Sequence, residues 1–378
     1  MIANPPLQLT VLTGLGTCHS VVCIELCIPE EKMSPLHNHS KSERPGEMED
    51  NARDSVPEQH MDDDEEWCCN LKENFVIQKY ITKGSYGRIF KIQENSSNLF
   101  YALKVISRFS KDELDEVDEL QKLREKRIME TIESYPFLVK LHSSFTTPLH
   151  IVLIMDYIDG ISLADYVESL DACTLPEGDA AFYIAETSLA LHFLHKNGII
   201  HRDVKVDNIM IDVDGHVKLI DFGGAKDGLG FGVRTSTLIC SEFNAAPEIF
   251  SELSYTFMVD WYALGIVLCL MLTSDHPFIS LVGRCSEEIT LQEYKNMISA
   301  IQKKEFHLKK DVSSDAFSLL QRLLEADPKK RMGSCDSADE MEIKQHVFLN
   351  EIDWTMLEEK KAKPPFIPKV ENARVKQL

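Results

Sequence analysis

Positive charge is scarce in this sequence. Its 378 residues include 40 Lys and Arg against 61 Asp and Glu, which gives a formal net charge of −21. A protein that binds nucleic acid through the phosphates needs a broad basic surface, and so does a protein that docks on an anionic membrane. The sequence also lacks any uninterrupted apolar run of about 18 residues, which argues against a membrane-spanning helix. We therefore expect neither nucleic acid nor a membrane as a partner.

Cysteine pairs at metal or redox spacing are also missing. None of the ten cysteines forms a Cys-x-x-Cys pair, and they are spread along the chain. This usage favours reduced thiols in an intracellular protein, cytoplasmic or nuclear, over a disulfide framework or a zinc site. Cys18, Cys23 and Cys27 lie close together but have no histidine partners at metal spacing, so metal binding there is only the minor alternative.

Residues 1–70 differ in composition from the rest. They hold 14 acidic and 4 basic residues, and the polar stretch 34–66 contains three prolines and ends in an acidic run. This composition predicts a disordered acidic extension. Residues 8–28 are moderately apolar, but no positive segment precedes them, so a dispensable extension is favoured over a signal peptide.

From Phe75 onward the hydrophobic pattern is that of a folded domain. A hairpin is predicted over 209–220 around an Asp-Gly turn, and helical patterns dominate after about residue 256. This order predicts an α+β fold with a small strand-rich lobe, 75–155, and a larger mostly helical lobe, 159–348. The other predicted elements are strands over 75–81, 87–93, 99–106 and 150–157 and helices over 111–134 and 179–196.

A glycine-containing segment joins the first two predicted strands. Two glycines three residues apart let backbone N–H groups close over phosphates, although an ordinary glycine hairpin is also possible. The segment comprises Ile81, Thr82, Lys83, Gly84, Ser85, Tyr86, Gly87, Arg88 and Ile89.

A lysine follows inside an otherwise apolar strand. Lys104 needs an anion there, and the candidates are Glu125 and the phosphates of ATP. Glu125 shares the predicted buried face of its helix with Ile128, Met129 and Ile132. A lysine that snorkels from the strand edge remains an alternative, but it leaves Glu125 unexplained.

Three further motifs occur in a characteristic order. They are His201-Arg202-Asp203-Val204-Lys205-Val206-Asp207-Asn208, then Asp221-Phe222-Gly223, then Ala246-Pro247-Glu248. With these motifs, the chain resembles a eukaryotic protein kinase over about residues 75–350. The implied fold is the bilobal kinase fold with an antiparallel sheet and one main helix in the small lobe.

The resemblance implies roles for the polar residues, with ATP and Mg²⁺ as cofactors. Asp203 would orient the substrate hydroxyl and accept its proton, and Lys205 would neutralise the moving phosphoryl group. Asn208 and Asp221 would be the Mg²⁺ ligands, because hard oxygen ligands suit that ion. Lys104 would grip the α- and β-phosphates, with Glu125 holding it in place.

The resemblance also implies an adenine pocket and a buried spine. Met155 would be the gatekeeper, followed by the hinge Asp156-Tyr157-Ile158. The adenine would lie between Ile89, Ala102 and Met210. The spine would consist of Leu141, Met129, Phe222 and His201, anchored by Asp260.

Several further segments have a recognisable pattern. They are 124–128 (Arg-Glu-Lys-Arg-Ile), 136–141, 327–333, 352–354 and 364–368 (Pro-Pro-Phe-Ile-Pro). With these segments the chain resembles the AGC group of kinases, which includes cyclic-AMP-dependent and ribosomal S6 kinases. Lys205, two residues after Asp203, resembles the Ser/Thr-specific branch. The resemblance implies a monomeric kinase that phosphorylates Ser or Thr in protein substrates, with residues 349–378 as a truncated AGC-type tail.

Other positions depart from the group's pattern. Thr82 replaces a glycine, and Cys240 and Glu242 replace a glycine and a proline in the activation segment. In cyclic-AMP-dependent kinase, three acidic positions bind basic residues of the substrate. The matching positions here are Ser162, Asp207 and Leu270, so only Asp207 is still acidic.

Thr237 falls at the activation-loop phosphosite position of the group. An upstream kinase would modify it, and Arg202 and Lys226 stand where the family places two partners of the phosphate. Gln121 occupies the helix position that often supplies a third. An ordinary loop threonine remains the alternative.

Two rival functions remain: a pseudokinase scaffold that binds partners through its unusual activation segment, and a small-molecule kinase. The catalytic set is complete and the tail resembles those of kinases that act on proteins, so an active protein kinase is favoured.

Overall fold

The computed structural model describes most of the predicted kinase region. Ser85, Tyr86, Thr237, Cys240 and Glu242 lie outside the described residues, as do residues 1–66. The described residues are 67, 71–84, 87–108, 116–228, 235, 244–251, 254–278, 299–300, 308, 310–333 and 341–369.

The small lobe is built on a five-stranded antiparallel sheet in the order β1-β2-β3-β5-β4. Helix α1, Glu116–Thr131, follows β3 and packs against β4 and β5. It ends three residues before the predicted limit of 134, and residues 111–115 lie outside the described part. The strands are β1, Phe75–Gly84; β2, Gly87–Glu94; β3, Phe100–Ser107; β4, Leu141–Thr146; and β5, His150–Asp156.

Strand β4 is a strand that the sequence analysis missed. Its residues, Leu-His-Ser-Ser-Phe-Thr, are mostly polar and only partly buried. It lies at the edge of the sheet and pairs only with β5. An edge strand with little buried surface has a weak hydrophobic alternation, and this explains the omission.

The large lobe is organised around two buried helices. Helix α3, Glu177–Lys196, begins two residues before the predicted start and packs against α5, Met258–Thr273. Nearly every side chain of α5 is buried, as its continuous apolar sequence predicts for a central helix. The other α-helices among the described residues are α2, Leu163–Ser169; α4, Pro247–Ser251; α6, Ser314–Leu323; and α7, Trp354–Glu358.

A three-stranded sheet in the large lobe carries the predicted hairpin. Strands β7, Ile209–Asp212, and β8, Val217–Leu219, pair antiparallel, and β6, Gly160–Ser162, pairs with β7. Gly215 in the turn has a φ of 87°, a left-handed conformation that glycine adopts without strain. A Cβ there would also approach the Phe366 carbonyl oxygen to 2.4 Å, so glycine lets the C-terminal segment lie against the turn.

The folded part of the chain begins earlier than residue 75. Trp67 and Leu71 are each 4% exposed and belong to a cluster on the small-lobe sheet. The cluster uses alternate residues of β3 and β5, such as Leu103 and Val152, whereas Lys104 and Leu153 face the other way. Trp67 therefore covers the sheet face opposite α1. The predicted extension, drawn to residue 70, includes a residue of the small-lobe core.

Replacing Trp67 by Ala is expected to lower the melting temperature by several degrees, because truncating a buried tryptophan costs about 3–5 kcal/mol. A chain that begins at Glu66 keeps Trp67 and should melt like the full chain, whereas a chain that begins at Lys72 loses both Trp67 and Leu71 and should melt below Trp67→Ala. Thermal unfolding followed by circular dichroism measures this. An unchanged melting temperature in Trp67→Ala would show that the contact contributes nothing.

Candidate active site

A lysine between two carboxylates links three parts of the fold. Lys104 of β3 donates a 2.7 Å hydrogen bond to Glu125 of α1 and a 2.8 Å bond to Asp221, which follows β8. Lys104 is 3% exposed and Glu125 is 1% exposed. The structure thus pairs Lys104 with Glu125, as the sequence predicts. It also brings in Asp221, 117 residues away along the chain.

The charges of this cluster are set by burial and by one another. Burial alone would raise the pKa of Asp221, but the Lys104 ammonium and the Gly223 N–H outweigh it and lower that pKa to about 2. Burial works against the charged form of Lys104 as well, yet the two carboxylates raise its pKa. Burial raises the pKa of Glu125, and Lys104 only partly offsets it. Asp221 is therefore ionised at neutral pH and available as a hard ligand.

The predicted catalytic residues meet in the loop after α3. The Lys205 ammonium lies 3.0 Å from the Asp203 carboxylate. The Asn208 amide nitrogen donates to the backbone oxygen of Asp203 at 2.8 Å and to its carboxylate at 2.9 Å. These bonds occupy the amide N–H groups, so the amide oxygen of Asn208 is the atom that suits a cation.

The backbone of this region is held in an uncommon conformation. Arg202 and Asp221 have φ values of 66° and 63°, which are costly for residues other than glycine. The buried Asp260 of α5 accepts hydrogen bonds from the N–H groups of His201 and Arg202 at 2.9 and 2.8 Å. His195 is its third partner, at 2.8 Å. Asp260 thus anchors the catalytic loop.

The four spine residues lie in one hydrophobic region. Phe222 is 1% exposed, and its ring centroid is 5.4 Å from that of His201. Met129 belongs to the same core, and Leu141 packs against it. His201 also meets the Ile220 carbonyl oxygen at 3.1 Å. The position of Asp221 is therefore coupled to α1 and to the catalytic loop through packed side chains.

The residues predicted to surround the adenine lie on β2, β3, β5 and β7, and Ile158 follows β5. Ala102 pairs with Met155 across β3 and β5, and Ile89 pairs with Lys104 across β2 and β3. Ile89, Ala102, Met210 and Ile158 are partly buried apolar surface, which suits a flat ring. This arrangement fits a nucleotide whose phosphates approach Lys104.

The side chain and the backbone N–H of Asp156 both form hydrogen bonds with residues next to or in β4. Its carboxylate lies 2.6 Å from His142 and 3.2 Å from the N–H of Lys140. Its own N–H donates to the Lys140 carbonyl at 2.9 Å. Any contact between Asp156 and a nucleotide would therefore use the backbone carbonyl, and not the side chain.

The packing of β2 against β3 explains why a glycine is needed at position 87. A Cβ at this position would lie 2.5 Å from the carbonyl oxygen of Val105 in β3. The glycine therefore permits the close approach of β2 and β3, in addition to any role over phosphates. Thr82, Lys83 and Gly84 at the end of β1 pair with Ile89, Arg88 and Gly87 of β2, and Ile81 lies at an irregularity of the ladder.

The donor set for a metal is incomplete without a nucleotide. In the described ranges no group of three or more His, Cys, Asp or Glu residues could hold a metal ion. Asp221 and Asn208 supply two oxygen ligands, and Mg²⁺ commonly takes one or two protein ligands and completes its shell with phosphate oxygens and water. The residues present therefore fit Mg²⁺ that binds together with ATP.

Positive charge gathers beside the catalytic loop. Arg202 donates to the hydroxyl of Tyr255 at 3.1 Å, and Lys226 donates to that of Thr235 at 2.5 Å. Burial, with Arg202 nearby, lowers the pKa values of both Arg124 and Lys226. Arg124 adds to the effect on Lys226. The Asp227 carboxylate, 3.8 Å from Arg124, offsets part of the repulsion among these three cations. The cluster is positively charged on balance, which suits a further anion.

A buried ion pair secures the Ala-Pro-Glu motif. Arg331 donates to both carboxylate oxygens of Glu248, at 2.5 and 2.8 Å, and both residues are buried. Arg331 also donates to the Met258 carbonyl at 2.8 Å. The sequence analysis quoted both motifs but did not pair them, because 83 residues separate the partners.

The C-terminal segment lies on the large lobe. The ring of Phe366 stacks on Tyr166 of α2 with centroids 4.1 Å apart, and Lys360 pairs with Asp212 of β7 at 2.9 Å. Residues up to 369 of the predicted tail are described, and these contacts hold part of that tail on the lobe that carries the catalytic loop.

Among the residues that the structure describes, no helix combines the length and the apolar composition needed to cross a membrane.

Comparison with known proteins places these motifs in a family. Residues 75–349 match the model of the protein kinase domain. The chain is 36% identical to protein kinase C zeta type of Oryctolagus cuniculus over 300 residues, which cover 79% of this chain and 49% of the relative. It is 34% identical to atypical protein kinase C of Drosophila melanogaster over 355 residues, 92% of this chain and 56% of the relative. The chain thus spans about half the length of these curated relatives.

Proposed function

The chain belongs to the protein kinase domain family, and we propose that it is a serine/threonine kinase of the AGC type that transfers the γ-phosphate of ATP to Ser or Thr hydroxyls of protein substrates. The observation that carries the proposal is the joining of Lys104, Glu125 and Asp221 by two short hydrogen bonds. The similarity to protein kinases C supports the same activity. The predicted fold and family are confirmed by the kinase-domain match.

Each residue of the site has a task in this reaction. Asp221 and Asn208 would hold Mg²⁺, which neutralises charge on the nucleotide phosphates when bound. Lys104, fixed by Glu125, would contact the phosphates. Asp203, oriented by Asn208, would accept a hydrogen bond from the acceptor hydroxyl and then its proton. Lys205 lies beside Asp203 and would face the transferred group.

A scaffold without activity is the alternative, and the complete catalytic set weighs against it. We further propose an intracellular monomer, from the cysteine usage and the family resemblance.

The function is tested by incubating the protein with radiolabelled ATP, Mg²⁺ and a mixed peptide library. Label should appear in peptides with the wild-type protein and be absent with Asp203→Ala. A wild-type protein that binds ATP but labels no peptide would favour the scaffold.

Activation by phosphorylation of Thr237 is a second part of the proposal. A phosphate adds about −1.5 to −2 charges and three acceptor oxygens, and it needs basic partners. The Arg202 and Lys226 side chains supply such charge next to the catalytic loop, with Arg124 near them. An upstream kinase would therefore phosphorylate this chain at Thr237.

Replacing Thr237 by Ala is expected to lower kcat/KM at least tenfold, about 1.4 kcal/mol, because the basic residues lose their anion. Arg202→Ala should mimic it, and the double variant should lose little more, since both changes remove one interaction. The neighbouring Ser236→Ala is the control. Active enzyme with no phosphate at Thr237 by intact-mass analysis, together with a fully active Thr237→Ala, would contradict this regulation.

A further inference from the structure

Gln121 makes hydrogen bonds in two directions from the buried face of α1. The side chain is 5% exposed. Its amide nitrogen donates to the carbonyl oxygens of Gly223 at 2.8 Å and Ala225 at 3.2 Å. Its amide oxygen accepts from Arg124 at 2.5 Å and from Arg202 at 3.4 Å. One side chain therefore contacts α1, the catalytic loop and the segment that follows Asp221.

The place of Gln121 on the helix gives these contacts a common purpose. Gln121 precedes Glu125 by four residues, so both side chains lie on one face of α1. Glu125 fixes Lys104, whereas Gln121 fixes the backbone just after Asp221. The N–H of Gly223 donates to the Asp221 carboxylate at 3.2 Å, while the carbonyl of the same residue accepts from Gln121. The position of Asp221 thus depends on both ends of Gly223.

The chemistry of the side chain suits this position better than that of other residues. Two backbone carbonyls accept from this side chain and two guanidinium groups donate to it. The Ala225 carbonyl also accepts from Arg202 at 3.3 Å, whereas the bond to Gly223 is made by Gln121. A carboxamide is both donor and acceptor, whereas a carboxylate cannot donate and an ammonium cannot accept. An ionised Glu would also place its charge against two carbonyl oxygens.

We propose that Gln121 is a positioning residue that holds the Asp221-Phe222-Gly223 segment on α1 and so sets the carboxylate of Asp221 for Mg²⁺. The proposal deepens the proposed kinase function and rests on it for its use of Mg²⁺. The hydrogen bonds between Gln121 of α1 and residues 223–225 do not depend on catalysis, so they can be tested separately.

Two variants separate the contacts. Gln121→Met keeps the length of the side chain and suits a helix, but it loses every hydrogen bond. Gln121→Glu keeps the acceptor for Arg124 and Arg202 and loses the donor for the carbonyls. Lys126→Gln is the control, because Lys126 lies on the same helix and pairs with Glu130 in an exposed i,i+4 contact.

Hydrogen exchange of the nucleotide-free protein measures directly how firmly Gln121 holds the segment after Asp221. In Gln121→Met and Gln121→Glu, exchange of the peptide that covers residues 222–227 should accelerate about tenfold, which corresponds to about 1.4 kcal/mol. Lys126→Gln should exchange like wild type. Equal exchange in all four proteins would overturn the proposal, whatever their kinase activity. If Gln121→Met does not fold, Gln121→Glu alone decides it.

A Mg²⁺ titration measures whether the loss of these hydrogen bonds weakens Mg²⁺ binding by Asp221. Binding of a fluorescent ATP analogue should need several-fold more Mg²⁺ in both Gln121 variants. A merely structural loss would lower the amount of binding-competent protein and leave the midpoint unchanged, and that result would overturn the positioning role. If the wild type binds the analogue but phosphorylates no peptide, the proposed function fails while this titration still tests Gln121.

Discussion

Lys104→Met is expected to lower the rate of phosphoryl transfer at least a hundredfold, about 2.7 kcal/mol, and to destabilise the fold as well. Lys104 lies between the buried carboxylate of Glu125 and the partly exposed carboxylate of Asp221. Removing one partner of a buried ion pair costs about 3–5 kcal/mol, because the remaining charges are left uncompensated. Steady-state kinetics and denaturant unfolding measure the two effects.

The same change should alter how stability depends on pH. Lys104 lowers the pKa of Asp221 to about 2, below the unfolded value near 3.8. Ionised Asp221 therefore stabilises the folded state fully above pH 3.8, and this stabilisation is lost as the pH falls towards 2. In Lys104→Met the pKa of Asp221 should rise, and this acid-dependent contribution should shrink or vanish.

Two comparisons make the test specific. Lys79→Met replaces an exposed lysine of β1 and should leave activity and stability unchanged. Glu125→Gln keeps the shape of its side chain and should lower activity about tenfold through loss of the contact with Lys104. Unimpaired turnover in Glu125→Gln would refute the importance of the pair.

Asp203→Asn is expected to reduce phosphoryl transfer by about 10²–10⁴-fold, because an amide cannot accept the proton of the acceptor hydroxyl. Binding of Mg·ATP should survive, because the role proposed for Asp203 concerns the acceptor hydroxyl and not the nucleotide, and an Asn side chain keeps an oxygen that can accept from Asn208. Asp221→Asn should instead weaken Mg²⁺-dependent nucleotide binding. Transfer rates and nucleotide titrations distinguish the two variants.

Asp214→Asn is the matched control for Asp203→Asn. It makes the same chemical change in the exposed β7–β8 turn, where Asn-Gly is as suitable as Asp-Gly. It should behave as wild type. Wild-type transfer by Asp203→Asn would remove the base assignment.

The candidate catalytic side chains could be named from the sequence because each lies in a short motif. Asp203, Asn208 and Asp221 are assigned by the resemblance of their motifs to those of protein kinases. The pairing of Lys104 with Glu125, which the structure shows, follows from a lysine in an apolar strand and a carboxylate on a buried helix face. A continuous apolar run predicts β5, and a helical pattern that ends at Asn197-Gly198 predicts α3; the residues of both elements are mostly buried.

Contacts between distant segments could not be predicted in the same way. Trp67 lies within a polar, acidic stretch, and its burial depends on the face of a sheet formed later in the chain. The pairing of Arg331 with Glu248 and the contact of Gln121 with Gly223 join residues 83 and 102 positions apart. Asp156 belongs to the predicted hinge, but the partner that turns its side chain away, His142, lies on the polar strand that the pattern missed.

The most direct test of the kinase proposal follows the label from two forms of ATP. The wild-type protein is incubated with Mg²⁺ and Ser- and Thr-containing peptides, and ATP carries radioactive phosphorus in either the γ- or the α-phosphate. The account predicts phosphoserine and phosphothreonine labelled only from the γ-position, and no label with Asp203→Asn. Equal labelling by Asp203→Asn, or a wild-type protein that binds Mg·ATP and labels neither serine nor threonine, would contradict it.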